Sequence, residues 1–196
     1  MTAAIGGQAM WFLVRGSGIV SLLLLTAGTA LGILTSQRWS LTRRIPRFVV
    51  GDLHRNLSML AVAFVALHVV TTIVDGFVPI RWISAVIPFT SWYRGWWLGL
   101  GALASDLFLA AAITSAFRRR PPYRAWRTIH LAAYASWPIA VAHSLGTGTD
   151  RGEGWMLMLV ALCMALIAGL AAWRAFDRLR PLRTRPPAGS LGTQAR

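Results

Sequence analysis

Lysine is absent from this chain. All 20 basic residues are arginine, only six residues are acidic, and the net charge is +14. Charged residues make up 13% of the sequence, about half the share found in soluble globular domains. The apolar share is 56%, too high for a disordered chain. The single cysteine, Cys163, excludes a disulfide scaffold and any zinc or iron–sulfur site built on cysteines. No glycine-rich G-x-G-x-x-G segment is present, so the dinucleotide-binding fingerprint is missing. A strongly basic chain often binds nucleic acid. Here no basic domain interleaved with aromatics exists, and nucleic acid is not an expected partner.

What the chain does have is long apolar runs. Residues 16–37, 56–74, 128–149 and 155–173 carry no Asp, Glu or Arg, and 96–117 carries only Asp106. About 20 apolar residues in helix cross a bilayer core of about 30 Å. Lipid admits helices or closed barrels, and these runs do not alternate as barrel strands do. The runs predict an all-α integral membrane protein of five transmembrane helices, over 12–35, 49–74, 96–117, 127–146 and 155–174. The first run is not a signal peptide, because its basic residues crowd its far end rather than precede it.

The arginines orient this bundle. Arg38, Arg43, Arg44 and Arg47 fall in the first loop. Arg118, Arg119, Arg120, Arg124 and Arg127 fall in or beside the third. Arg174, Arg178, Arg180, Arg183, Arg185 and Arg196 follow the last span. The opposite side has only Arg81, Arg94 and Arg151, while Arg15 and Arg55 lie within span ends. Positive residues favour the cytoplasmic side, so the N-terminus is expected outside and the C-terminus in the cytoplasm. The outer loop 76–95 is aromatic and broken by Pro79 and Pro88. It is too short to span and reads as an interfacial segment, with a lid or docking surface on the outer face as the functional alternative.

All four histidines fall within predicted spans: His54 and His68 in the second, His130 and His143 in the fourth. Ionisable groups at such depth are costly and mark functional sites. His54 and His68 are 14 residues apart, which puts them on one helix face about 21 Å apart along the axis. The two spans run in the same direction, so His54 meets His130 at the cytoplasmic level and His68 meets His143 at the outer level. Facing imidazoles at two levels suit two bis-histidine clamps for a planar metal macrocycle. Haem is the expected occupant, between the second and fourth helices. A zinc or copper ion would want three or four ligands around one point. No C-x-x-C-H motif is present, which makes the haem non-covalent, b-type. One feature resists. The 13-residue interval from His130 to His143 leaves an ideal helix about 140° out of phase. A kink at Pro138, the helix crossing, or rotation of one haem would each absorb it.

Several stretches resemble a known family. Gly51-Asp52-Leu53-His54-Arg55, Ala66-Leu67-His68, Tyr123-Arg124-Ala125-Trp126-Arg127-Thr128-Ile129-His130 and Ala142-His143 look like those of the ferric-reductase-like transmembrane domain. That domain is the haem core of the NADPH oxidases and yeast-type ferric reductases. It also occurs as the membrane haem subunit of the bacterial periplasmic methionine sulfoxide reductase system. The resemblance runs from about residue 10 to about residue 150, and includes histidine spacings of 14 on the earlier helix and 13 on the later. It implies a bacterial plasma-membrane protein that passes electrons from a cytoplasmic donor, through an inner and then an outer haem, to an extracytoplasmic acceptor. The oxidases carry a C-terminal flavin and NADPH domain, whereas only residues 175–196 follow the last predicted span here. A separate reductase, a membrane quinol, or a flavin (FMN or FAD) at the inner face or on a partner is therefore expected to supply electrons.

The expected organisation is a short outer N-terminal segment (1–11), the haem-binding membrane domain (12–176) and a disordered cytoplasmic tail (177–196). Arg55 and Arg127 suit the propionates of the inner haem, and Arg15, Arg81 or Arg94 those of the outer. Phe64, Tyr134 and Trp137 lie between the two levels and either couple them or pack the core. Asp106 reads as a proton-path residue or, the favoured reading, a protonated carboxyl bonded to a hydroxyl, and Cys163 as packing. The leading function is a di-haem electron conduit, the membrane subunit of an oxidoreductase. A self-sufficient ferric or oxygen reductase, a His-lined metal or haem permease, and a haem-bearing membrane anchor are the alternatives.

Overall fold

A computed structural model describes residues 2–36, 47–76, 78, 80–118, 120, 122–148 and 150–179. Helix is the only regular structure among the described residues, in six segments: α1 (Thr2–Ser36), α2 (Arg47–Val74), α3 (Ile83–Val86), α4 (Gly95–Ala116), α5 (Tyr123–Thr147) and α6 (Gly154–Leu179). The five long helices coincide with the five predicted spans. Most begin earlier than predicted or run past the predicted end, because hydropathy registers the apolar stretch and not the polar turns that continue the helix beyond it. Arg38, Arg43 and Arg44 of the first loop, and the tail from 180 onward, lie outside the described residues.

Among the described residues, four helices are long and apolar enough to cross a membrane: Gly7–Thr35, Phe48–Val74, Gly95–Ala116 and Gly154–Leu179. The chain is therefore a multi-pass membrane protein. The predicted count of five is not reproduced on this criterion. The fourth predicted span, α5, is the exception, because Arg124, Arg127, His130, Pro138 and His143 dilute its apolar content.

Two helix pairs make the bundle. α1 packs along α2, α4 packs along α5, and α1 joins the halves by touching α5 and α6. α2 and α5, which carry the histidines, have no comparable backbone contact. The buried cluster between the halves holds Leu22, Trp137, Val141, Met156, Val160 and Cys163. Cys163 packs there as expected. Trp137 donates its indole N–H to Thr26 Oγ1 at 2.9 Å, so it faces α1 and this core. Buried hydroxyls on α1 bond to their own helix: Ser21 to the Ser17 carbonyl and Thr26 to the Leu22 carbonyl, each at 2.7 Å. That satisfies polar groups without water. Leu157, Met158, Leu162, Met164 and Leu166 on α6 are exposed, the pattern of a face turned to lipid.

The loop between α2 and α4 contains the single turn α3 and does not span. Phe89 and Arg94 both take left-handed backbone, with φ of 66° and 40°, a conformation costly for non-glycine residues. Contacts hold them there. The Phe89 ring and backbone lie against Gly99, where a β-carbon would collide with them. Arg94 Nη1 donates to the Gly146 carbonyl at 2.7 Å, capping the last turn of α5.

Candidate functional site

The four imidazoles form two facing pairs. The ring centroids of His54 and His130 are 6.3 Å apart, with planes at 80°. Those of His68 and His143 are 6.4 Å apart, with planes at 76°. His54 therefore faces His130, and His68 faces His143. α5 remains helical through Pro138, and both of its histidines reach their partners on α2. Proline removes the bond to the carbonyl four residues back. The mid-point of the 13-residue interval is thus where α5 has latitude to absorb the phase error.

Each imidazole is pinned through Nδ1. His54 Nδ1–H donates to the Gly28 carbonyl at 3.0 Å, His68 to the Val14 carbonyl at 3.0 Å, and His143 to the Trp97 carbonyl at 2.9 Å. A carbonyl only accepts, so these bonds put the proton on Nδ1 and leave the lone pair on Nε2. His130 Nδ1 instead lies 3.2 Å from Ser115 Oγ.

The acceptors follow a rule that the sequence reading missed. Four residues beyond each carbonyl stands a glycine: Gly18 after Val14, Gly32 after Gly28, and Gly101 after Trp97. Each lies against the histidine that its carbonyl holds. A β-carbon would stand 3.0 Å from His68 Cε1 at Gly18 and 2.5 Å from His143 Cε1 at Gly101, whereas at Gly32 it would press on Tyr134 Oη at 3.1 Å and meet His54 Cε1 at an ordinary 3.5 Å. The carbonyl orients the ring, and at Gly18 and Gly101 the glycine one turn on makes room for it. On α1 the seats repeat after 14 residues, matching the 14 between His54 and His68 on the antiparallel α2. That shared interval is the signal from which the glycines were legible. At the fourth seat Ser115 stands in the glycine position, four residues after Ala111.

The remaining predicted residues scatter. Arg15 forms an ion pair with Asp150, and its guanidinium sits 4.2 Å from the Trp11 ring centroid. Arg94 is engaged at Gly146 as described, while Arg55, Arg81 and Arg127 are exposed. The Tyr134 hydroxyl lies against Gly32, where a β-carbon would stand 3.1 Å from it. Phe64 is half-buried. Asp106 has no hydrogen-bond or ion-pair partner among the described residues, so the hydroxyl partner expected for it is not there. A cleft of about 440 Å³ lined by Gly7, Gln8, Trp11, Asp75 and Gly76 opens at the end of the bundle nearer His68. Among the described residues no three His, Cys, Asp or Glu side chains gather around one point.

A multi-pass helical membrane protein with two stacked histidine pairs is the class defined by this fold and site. The chain belongs to the ferric reductase like transmembrane component family, whose description it matches over residues 17–141. No curated protein and no solved structure matches it.

Proposed function

We propose that the chain is a di-haem b transmembrane electron-transfer protein, with one haem held by His54 and His130 and the other by His68 and His143. The carrying observation is the spacing of the pairs. With metal–nitrogen bonds of about 2.0–2.1 Å and a ring nitrogen about 1.2 Å from its centroid, two imidazoles that held one metal between them would put their centroids about 6.4–6.6 Å apart. The observed values are 6.3 and 6.4 Å. Two ligands per level suit a metal whose other positions are filled by a macrocycle, and not a bare ion held by side chains. Ferric reductase-like domains generally bind haem.

Haem bound in this way supplies a one-electron iron couple with no open position, which favours outer-sphere electron passage over group transfer. The protein's part is orientation and exclusion. The Nδ1 bonds fix each ring and make its ligating nitrogen more basic. The glycine seats let α1 and α4 close against the rings from behind. The apolar bundle keeps water from the path between levels, about 21 Å along α2. The arginine distribution supports an inner level at His54 and His130, with the C-terminus cytoplasmic in a bacterial plasma membrane. It also supports α5 as the fifth crossing, its polarity being that of the site it carries. Electrons then run from a cytoplasmic reductase, quinol or flavin to an extracytoplasmic acceptor, with Arg55 and Arg127 available to the inner propionates and Arg15 to the outer.

Proteoliposomes test this directly. Haem-loaded chain in sealed vesicles should carry electrons from an impermeant reductant outside to ferricyanide trapped within, and haem-free vesicles should not. Trapped ferricyanide reduced equally in both would refute the conduit.

A further inference from the structure

The hydrogen bond behind a ligating imidazole sets how strongly that imidazole donates to its metal. Three of the four histidines have the same bond. His54, His68 and His143 each stand 3.0, 3.0 and 2.9 Å from a backbone carbonyl. His130 departs from this, with its Nδ1 3.2 Å from Ser115 Oγ. That oxygen is shared. It also accepts the Trp126 indole N–H at 3.4 Å, and Trp126 lies flat over His130, with centroids 5.1 Å apart and planes 19° apart. When Nε2 of His130 ligates, Nδ1 keeps its proton, so two N–H groups draw on one neutral oxygen. Both bonds are longer than the common 2.9–3.0 Å of an N–H···O bond.

The departure is written in the sequence. A glycine follows four residues after each of the three carbonyls, whereas Ser115 follows four after Ala111. The serine side chain stands where the ring would otherwise reach the Ala111 carbonyl. That carbonyl takes only a long bond of 3.2 Å from Thr114 Oγ1, whose shorter bond of 2.7 Å goes to Ala110. A fourth seat of the common kind is therefore present and covered.

Iron(III) carries one more positive charge than iron(II), so a strongly donating ligand favours the oxidised state and a weakly donating one the reduced state. A peptide carbonyl aligned along a helix is a strong acceptor, and a hydroxyl divided between two donors is a weak one. The outer pair has two rings on carbonyls, and the inner pair has one. The Arg118 guanidinium, 5.7 Å from the Trp126 centroid, adds positive charge on the same side, which favours the reduced state too. Satisfying a polar ring nitrogen inside a membrane accounts for a hydroxyl beside His130. It does not account for loading that hydroxyl with a second N–H.

Building on the di-haem reading, we propose that Ser115 is a positioning residue that raises the potential of the inner haem, by leaving His130 the most weakly donating of the four ligands. The equilibrium concerned is the passage of one electron between two irons, one oxidised as the other is reduced, with no proton moved.

The test is equilibrium potentiometry of the haem-loaded full chain with mediators, read by visible spectra, without turnover. Ser115→Gly uncovers the Ala111 carbonyl and should lower one of the two potentials by about tenfold in the reduction equilibrium, or about 59 mV for one electron. The other should stay. The same shift in a His68→Ala background, which is expected to keep only the inner haem, assigns it. Ser115→Ala removes the acceptor without uncovering the carbonyl and should move the same potential upward. Both variants lose the hydroxyl, so a role confined to packing would shift them alike. Trp126→Phe keeps the stacked ring, frees Oγ for His130 and should lower the potential by less than Ser115→Gly. If Ser115→Gly fails to hold haem, the opposite signs of Ser115→Ala and Trp126→Phe still decide. Shifts of one sign throughout, or potentials unmoved in haem-loaded variants, would overturn the role of Ser115 and leave the di-haem reading standing. Wild-type chain that binds no haem would sink the di-haem reading, and this inference with it.

Discussion

Gly101 leaves no slack at His143. A β-carbon there would sit 2.5 Å from Cε1 and 2.6 Å from Nδ1, closer than any real contact, and the colliding ring is the one that Trp97 must hold. Gly101→Ala is therefore expected to displace His143 and reduce bound haem from two per chain toward one, read by pyridine haemochrome against protein. Gly28 is the internal control. Its carbonyl holds His54, but a β-carbon would meet only Ser58 Oγ at an ordinary 3.8 Å, so Gly28→Ala should keep both haems. If both variants bind alike, the glycines are not seats. At this scale the histidines were legible in the sequence because an ionisable side chain in an apolar run stands out. Their acceptors were not, because every residue carries a carbonyl and only the fold selects Val14, Gly28 and Trp97. Ser115 and Trp126 were passed over for a related reason, since a hydroxyl near a loop and a tryptophan near a membrane edge are ordinary residues until they share a bond.

Arg94 shows how an element can be fixed by opposing terms. Left-handed backbone costs a non-glycine residue about 1–2 kcal/mol. A hydrogen bond from a charged group returns about 1.5–3 kcal/mol, and Arg94 makes one to the last turn of α5. Arg94→Ala loses the bond and keeps the backbone cost, whereas Arg94→Gly loses both. The alanine variant should thus be the less stable by about 1 kcal/mol, seen as earlier thermal loss of the haem absorbance. The reverse order would mean that the left-handed backbone at Arg94 carries no such cost. The helices themselves were readable from hydropathy, α5 least so. Its two histidines, its proline and its arginines lower its apolar content, so the element that carries half the site is the one whose membrane signal is weakest. What joins α1 to α2 and α4 to α5 was not readable, because apolar faces in lipid give no sign of which neighbour they meet.

For the whole molecule the arginines set the expected orientation, and the single native cysteine makes it easy to check. Cys163 is buried, so introduced cysteines report alone. Ser91→Cys, in the outer loop, should react with an impermeant maleimide in intact cells. Ser190→Cys, in the arginine-rich tail, should react only after permeabilisation. The opposite pattern would invert the proposed direction of electron flow. The central claim is more basic than direction. It holds that two facing imidazole pairs, 6.3 and 6.4 Å between centroids, are each the axial ligands of one haem. Pyridine haemochrome with protein quantitation on the wild-type chain and on His68→Ala measures this directly. The account predicts two b haems per chain for the first and one for the second. A wild-type count near zero, or a His68→Ala variant that retains both haems, would contradict it.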